Sequence, residues 1–195
     1  MRKNRAIQLA LATGLLAVVP AVFAHTGLHH ESGLTSGLLH PITGMDHVLA
    51  MVAVGLWAAY AGGRSVWLLP VAFVGLMTGG AALAMNGIQL PLVESIILLS
   101  VVVLGSMLAL GIRLPALPAA LLVGAFGVFH GYAHGLEITP TASGYTYGLG
   151  FATATMALHL GGILLGQRLL RLQAPLYKVL GGIITSTGIA LALFG

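Results

Sequence analysis

Two short segments concentrate the histidines and carboxylates of this chain. The first reads His40-Pro-Ile-Thr-Gly-Met-Asp46-His47, and the second reads Phe129-His130-Gly-Tyr-Ala-His134-Gly-Leu-Glu137. In the second, His130 and His134 are spaced i, i+4, and Glu137 follows His134 at i+3. All three then project from one face of a helix. In the first, His40 and His47 are seven residues apart. On one continuous helix they share a face about two turns apart, with Asp46 beside it. Pro41 fits the first turn of such a helix, where its missing N–H has no partner to lose. A His-x3-His pair on a helix is a sound chelating geometry.

Imidazole and carboxylate without thiolate suit nickel, cobalt, zinc or copper(II), and the ligand set does not choose among them. The chain contains no cysteine. That excludes disulfides, thiolate metal sites, iron–sulfur clusters and cysteine nucleophiles. The seven methionines show no Met-x-x-Met pattern and read as apolar filler, not as a copper(I) site.

The elements that position these residues must lie in lipid. The chain is 58% hydrophobic and only 6% charged, whereas a soluble domain carries about 25% charged residues. Six apolar segments are long enough to span a bilayer, which takes ~20 residues. They cover residues 39–61, 66–85, 91–110, 114–135, 145–170 and 176–194. The expected fold is an all-α, polytopic membrane protein with a six-helix bundle. The 28 glycines suit close helix packing in a bilayer.

The N-terminus has a basic start, Met1-Arg-Lys-Asn-Arg5, an apolar run over 6–23, and then Ala24. This is the pattern of a cleavable signal peptide over residues 1–24, with Val22 and Ala24 at the −3 and −1 positions. An uncleaved anchor helix is the competing reading. The mature domain, 25–195, then starts at His25 outside the cytoplasm. Residues 25–38 form a periplasmic tail in which His25, His29, His30 and Glu31 could capture metal.

With that start, every remaining basic residue (Arg64, Arg113, Arg168, Arg171 and Lys178) falls in or beside a cytoplasmic loop. The loops around 86–87 and 137–144 hold none. This segregation follows the positive-inside rule and puts both termini in the periplasm of a bacterial inner membrane. The net charge of +4 is thus topological. There is no basic stripe with interleaved aromatics for nucleic acid, and no phosphate-binding glycine loop.

Both motifs come out at the outer ends of their helices, one and four, at one depth. Ionisable groups in a bilayer face the bundle interior with a partner, so the two faces are expected to meet in a shared site. The bland alternative is helix–helix hydrogen bonding. Weaker candidates are Glu94, near the outer end of helix three, and His159, deeper in helix five as a relay ligand. Thr185, Ser186 and Thr187 could line a polar path, although such hydroxyls commonly bond back to their own helix.

The residue 40–47 and 129–137 motifs resemble the two signatures of the HupE/UreJ family of nickel/cobalt permeases, over the whole chain. The resemblance implies a secondary permease of the bacterial inner membrane, with Ni²⁺ or Co²⁺ as substrate and no prosthetic group. It carries His40, Asp46, His47, His130, His134 and Glu137 over as metal-site residues. Two other classes stay open on the residues alone. One is a membrane-embedded zinc-dependent hydrolase, in which the metal activates water. The other is a proton- or haem-handling membrane subunit. The partners expected are a divalent ion and the lipid bilayer, with no nucleic acid.

Overall fold

A computed structural model describes residues 33–138, 142–172 and 175–195. The expected signal segment, and with it His25, His29, His30 and Glu31, lies outside the described residues. Those residues form seven helices in chain order: α1 (Leu34–Thr43), α2 (Met45–Ala61), α3 (Ser65–Met85), α4 (Val93–Leu110), α5 (Ala116–Gly135), α6 (Ala142–Arg171) and α7 (Leu176–Phe194). Five of them, α3 to α7, are long and apolar enough to cross a membrane. The pair α1 and α2 together passes the same test, bent by 88° at its break. The all-α, membrane-spanning expectation therefore holds.

The bend changes how the first motif is built. The sequence reading placed His40 and His47 on one face of one helix, with Pro41 in its first turn. In the structure, α1 starts earlier, at Leu34, and Pro41 lies near its end. Proline offers no N–H to the preceding turn. Two residues after Ile42 the chain leaves helical geometry at Gly44, with φ −97° and ψ 117°, before α2 begins at Met45. His40 and His47 thus stand on different helices, and the angle between these, not a common face, brings them together.

α2 is the centre of the bundle. It packs chiefly against α6, and also against α4, α3 and α7. Ala50, Met51, Ala53, Val54, Trp57 and Ala58 are fully buried along it. Two other pairs, α3 with α5 and α4 with α7, pack closely around it. α1 lies against α6. Lipid is as apolar as a leucine side chain, so this packing depends on backbone approach more than on hydrophobic exclusion. Gly131 shows the consequence: a Cβ there would run into the Met77 carbonyl of α3. Gly55 does the same on the other side of the bundle, where a Cβ would strike the His159 carbonyl of α6.

The end of the bundle opposite the two motifs is tied by polar contacts. Trp57 Nε1 donates to the Ile112 carbonyl at 2.9 Å, and the Tyr60 hydroxyl donates to the Gly111 carbonyl at 2.9 Å. Arg113 sits 4.5 Å over the Tyr60 ring, and Tyr177 stacks on that ring at 4.7 Å. These contacts fix the end of α2 to the α4–α5 connection and to the start of α7.

Candidate metal centre

The two motifs meet. His40 of α1, His47 at the start of α2, and His130 and His134 near the end of α5 form one contiguous group of imidazoles. Ring centroids are 4.8 Å apart for His40 and His134, 4.4 Å for His47 and His134, and 4.8 Å for His47 and His130. α5 brings its two histidines to one face through their i, i+4 spacing. Its last turn closes at Gly135, where the Leu136 N–H bonds the Tyr132 carbonyl and the Glu137 N–H bonds the His134 carbonyl. Glu137 therefore lies just past the helix, yet its carboxylate still returns to the histidines.

At the exposed edge of the group, Glu137 Oε2 lies 3.2 Å from His40 Nε2 and 3.7 Å from His134 Nδ1. The donor atoms of His40, His134 and Glu137 all lie within 4.8 Å of one another. Ligands bonded at ~2.1 Å around a tetrahedral or octahedral ion are ~3.0–3.4 Å apart. The 3.2 Å distance falls inside that range and the 3.7 Å distance just beyond it, so the three side chains must draw closer together to hold one ion.

Exposure falls steadily along the row. The Glu137 side chain is 55% exposed and that of His40 33%. His134 and His47 are buried, and His130 is at 0%. Buried polar atoms in folded proteins nearly always have partners. Here His47 Nε2, His130 Nδ1 and both nitrogens of His134 are buried without a hydrogen bond. A row of unpaired, desolvated nitrogens is costly unless something binds it. Their lone pairs are what a cation would take up.

The protein also orients the rings from behind. Asp46 Oδ1 accepts from the His47 backbone N–H at 2.8 Å and lies 2.8 Å from its Nδ1. This is the arrangement in which a carboxylate fixes the tautomer of a metal-ligating histidine. Ser100 of α4, fully buried, places its hydroxyl 2.9 Å from His130 Nε2. The aromatic wall is Phe151, 4.2 Å from His134, with Tyr147 5.7 Å from His40.

A family profile described as HupE / UreJ protein matches residues 13–191. The chain belongs to the HupE/UreJ family. It is also 43% identical over 177 residues to protein HupE of Rhizobium leguminosarum bv. viciae, covering 90% of this chain and 92% of that one. No solved structure matches it.

In this HupE/UreJ protein the six residues of the two motifs lie at one end of the bundle; the first motif gets there through the bend at Gly44 and not through a common helical face, and among the described residues His40, His134 and Glu137 are the ones whose donor atoms converge. The weaker candidates behave differently. Glu94 lies in the first turn of α4 and is exposed. His159 is fully buried in α6, with both ring nitrogens lacking a hydrogen bond. The Phe73 ring touches His159 at 5.1 Å and His130 at 5.4 Å, which links the deep histidine to the row. Thr185 bonds back to the Gly181 carbonyl of its own helix at 2.9 Å, as hydroxyls in apolar helices do. Sequence reasoning does not single out Ser100 or Phe73. The one available signal for Ser100 is a lone polar residue in the apolar run 96–103.

Proposed function

We propose that this protein is a secondary permease that takes up nickel or cobalt ions through the His40/Asp46/His47/His130/His134/Glu137 site, and that it is not an enzyme. The observation that carries the reading is the graded row of imidazoles. It begins at an exposed carboxylate, Glu137, and ends at a histidine with no solvent exposure, His130. A resident structural site would close around one ion with all donors satisfied. This row instead offers a series of donors at increasing depth, which suits an ion that sheds water stepwise and moves on. His159, reached through Phe73, is the next donor inward. The choice of nickel and cobalt rests on family membership, because the donor set alone does not discriminate.

The site end of the bundle faces the periplasm in this reading. Arg64 follows α2, Arg113 precedes α5, Arg168 and Arg171 end α6, and Lys178 opens α7, all at the end remote from the site. That distribution supports a cytoplasmic assignment for the basic end. The protein then sits in the bacterial inner membrane, with its mature N-terminus at His25 and Gly195 both outside. His25 and His29, ahead of α1 in the chain, capture metal on that side of the membrane.

The test is uptake of labelled nickel and cobalt at trace concentration, by cells with and without the protein. Uptake is expected to rise with expression and to be lost in His130→Ala. Equal uptake by empty cells and expressing cells ends the proposal.

A further inference from the structure

Ser100 is buried at 0% exposure among apolar residues of α4, in neither motif. Its hydroxyl has a single proton, and that proton is donated to the Ile97 backbone carbonyl at 2.6 Å. The same oxygen lies 2.9 Å from His130 Nε2. Assigning the proton to the Ile97 carbonyl, the closer partner, leaves the hydroxyl to accept from the imidazole, and Nε2 then carries the hydrogen. A neutral imidazole has one N–H, so Nδ1 of His130 is left with a free lone pair. That atom is buried and has no hydrogen-bond partner. His47 is set the opposite way. Asp46 Oδ1 accepts from its Nδ1–H, and the unpartnered buried nitrogen is Nε2. The two rings are 4.8 Å apart, so neighbouring imidazoles expose lone pairs of different kinds.

We propose that Ser100 is a positioning residue that locks His130 in its Nε2–H tautomer, so that Nδ1 is the atom that binds the ion. This deepens the metal-site reading above and rests on it. Ser100 itself touches no ion. Its effect runs through His130, in the way that outer hydrogen-bond partners of ligating histidines set ring orientation and basicity. Without the hydroxyl, His130 exchanges between tautomers, and in one of them Nδ1 carries a hydrogen and is closed to metal.

The test has two arms. In the first, nickel uptake is measured for Ser100→Ala, Ser100→Thr and Ser100→Val at matched membrane abundance. Thr and Val have nearly equal volume and differ in the hydroxyl. Ser100→Ala and Ser100→Val are expected to raise the half-saturating nickel concentration about 10–100-fold, the usual effect of losing such a partner, with the maximal rate little changed. Ser100→Thr is expected to stay near the parent. Equal half-saturation for Thr and Val reduces Ser100 to a packing role and overturns the proposal. In the second arm, ¹⁵N NMR of the purified full chain, with His130→Gln to assign the resonance, reads the tautomer directly. A protonated Nε2 in the parent that is lost in Ser100→Ala supports the proposal; a protonated Nδ1 in the parent overturns it. If the parent takes up no metal, the transport reading fails, while the tautomer still decides the role of Ser100.

Discussion

The His47 and His134 rings stand 4.4 Å apart, centroid to centroid, although 87 residues separate them in the chain. Neither ring can satisfy the other. Both nitrogens of His134 lack a hydrogen bond, and so does His47 Nε2, while Asp46 occupies His47 Nδ1. The contact brings two lone-pair donors from α2 and α5 together edge to face, with an interplanar angle of 65°, and it is the shortest imidazole–imidazole contact of the row.

Asp46→Asn keeps the size of the side chain and removes its charge. The neutral amide grips the His47 Nδ1–H less firmly and offers it two orientations, one of them with an N–H in place of the acceptor. Uptake at limiting metal is expected to be abolished, with the half-saturating concentration raised about 10–100-fold, while the protein remains in the membrane. Tracer uptake with a membrane blot checks both halves. Normal trace-metal uptake by a well-expressed variant removes Asp46 from the site.

His159→Ala is expected to act on a different quantity. His159 lies beyond Phe73, away from the exposed Glu137, so loading at low metal does not depend on it. The maximal uptake rate is expected to fall, and the half-saturating concentration to stay close to that of the parent. Saturation curves for both variants in parallel separate the two roles.

Protons compete with the ion at every imidazole, because only the neutral ring ligates. Free imidazole titrates near ~6.5. Nickel affinity of the purified protein, measured by calorimetry from pH 8 to pH 5, is therefore expected to weaken steadily with acid. Affinity that rises on acidification is incompatible with histidine ligation.

Gly131→Ala tests the packing that holds α5. The added methyl runs into the Met77 carbonyl, which is backbone and does not yield. Overpacking of this kind costs about 1–3 kcal/mol. Gly148 on α6 has nothing within 4 Å of an added Cβ, so Gly148→Ala is the matched control and is expected to be neutral. Thermal unfolding in detergent is the measurement. Equal melting temperatures for the two variants contradict the close α3–α5 approach.

The sequence carried much of this arrangement. Segments of unbroken apolar residues marked the spans, and the observed α3 and α7 fall within a residue of expectation because Gly62-Gly63 follows the end of α2 and Pro175 stands at the N-cap of α7. The i, i+4 histidines of α5 were legible because helical spacing decides which side chains share a face. The break at Gly44 was not. A spacing of seven between His40 and His47 satisfies one helix as well as two, and the bent arrangement packs α1 on α6, a contact between distant parts of the chain that spacing does not show. Ser100 was hidden for another reason: a single hydroxyl has no spacing to betray it, and its role exists only through a histidine 30 residues away.

The break at Gly44 gives the site a mechanical property. His40 rides on α1 while His47 rides on α2, and the two helices meet at 88°. His40 is four residues from the pivot, a lever arm of ~6 Å at 1.5 Å per residue. A rotation of about 10° at Gly44 therefore carries His40 through about 1 Å, roughly half the length of a ~2.1 Å metal–nitrogen bond. What holds that angle is the seat of α1 on α6, where Gly37 and Gly150 let the two backbones meet. The outermost imidazole is thereby placed by α6, and the deeper rings by α2 and α5.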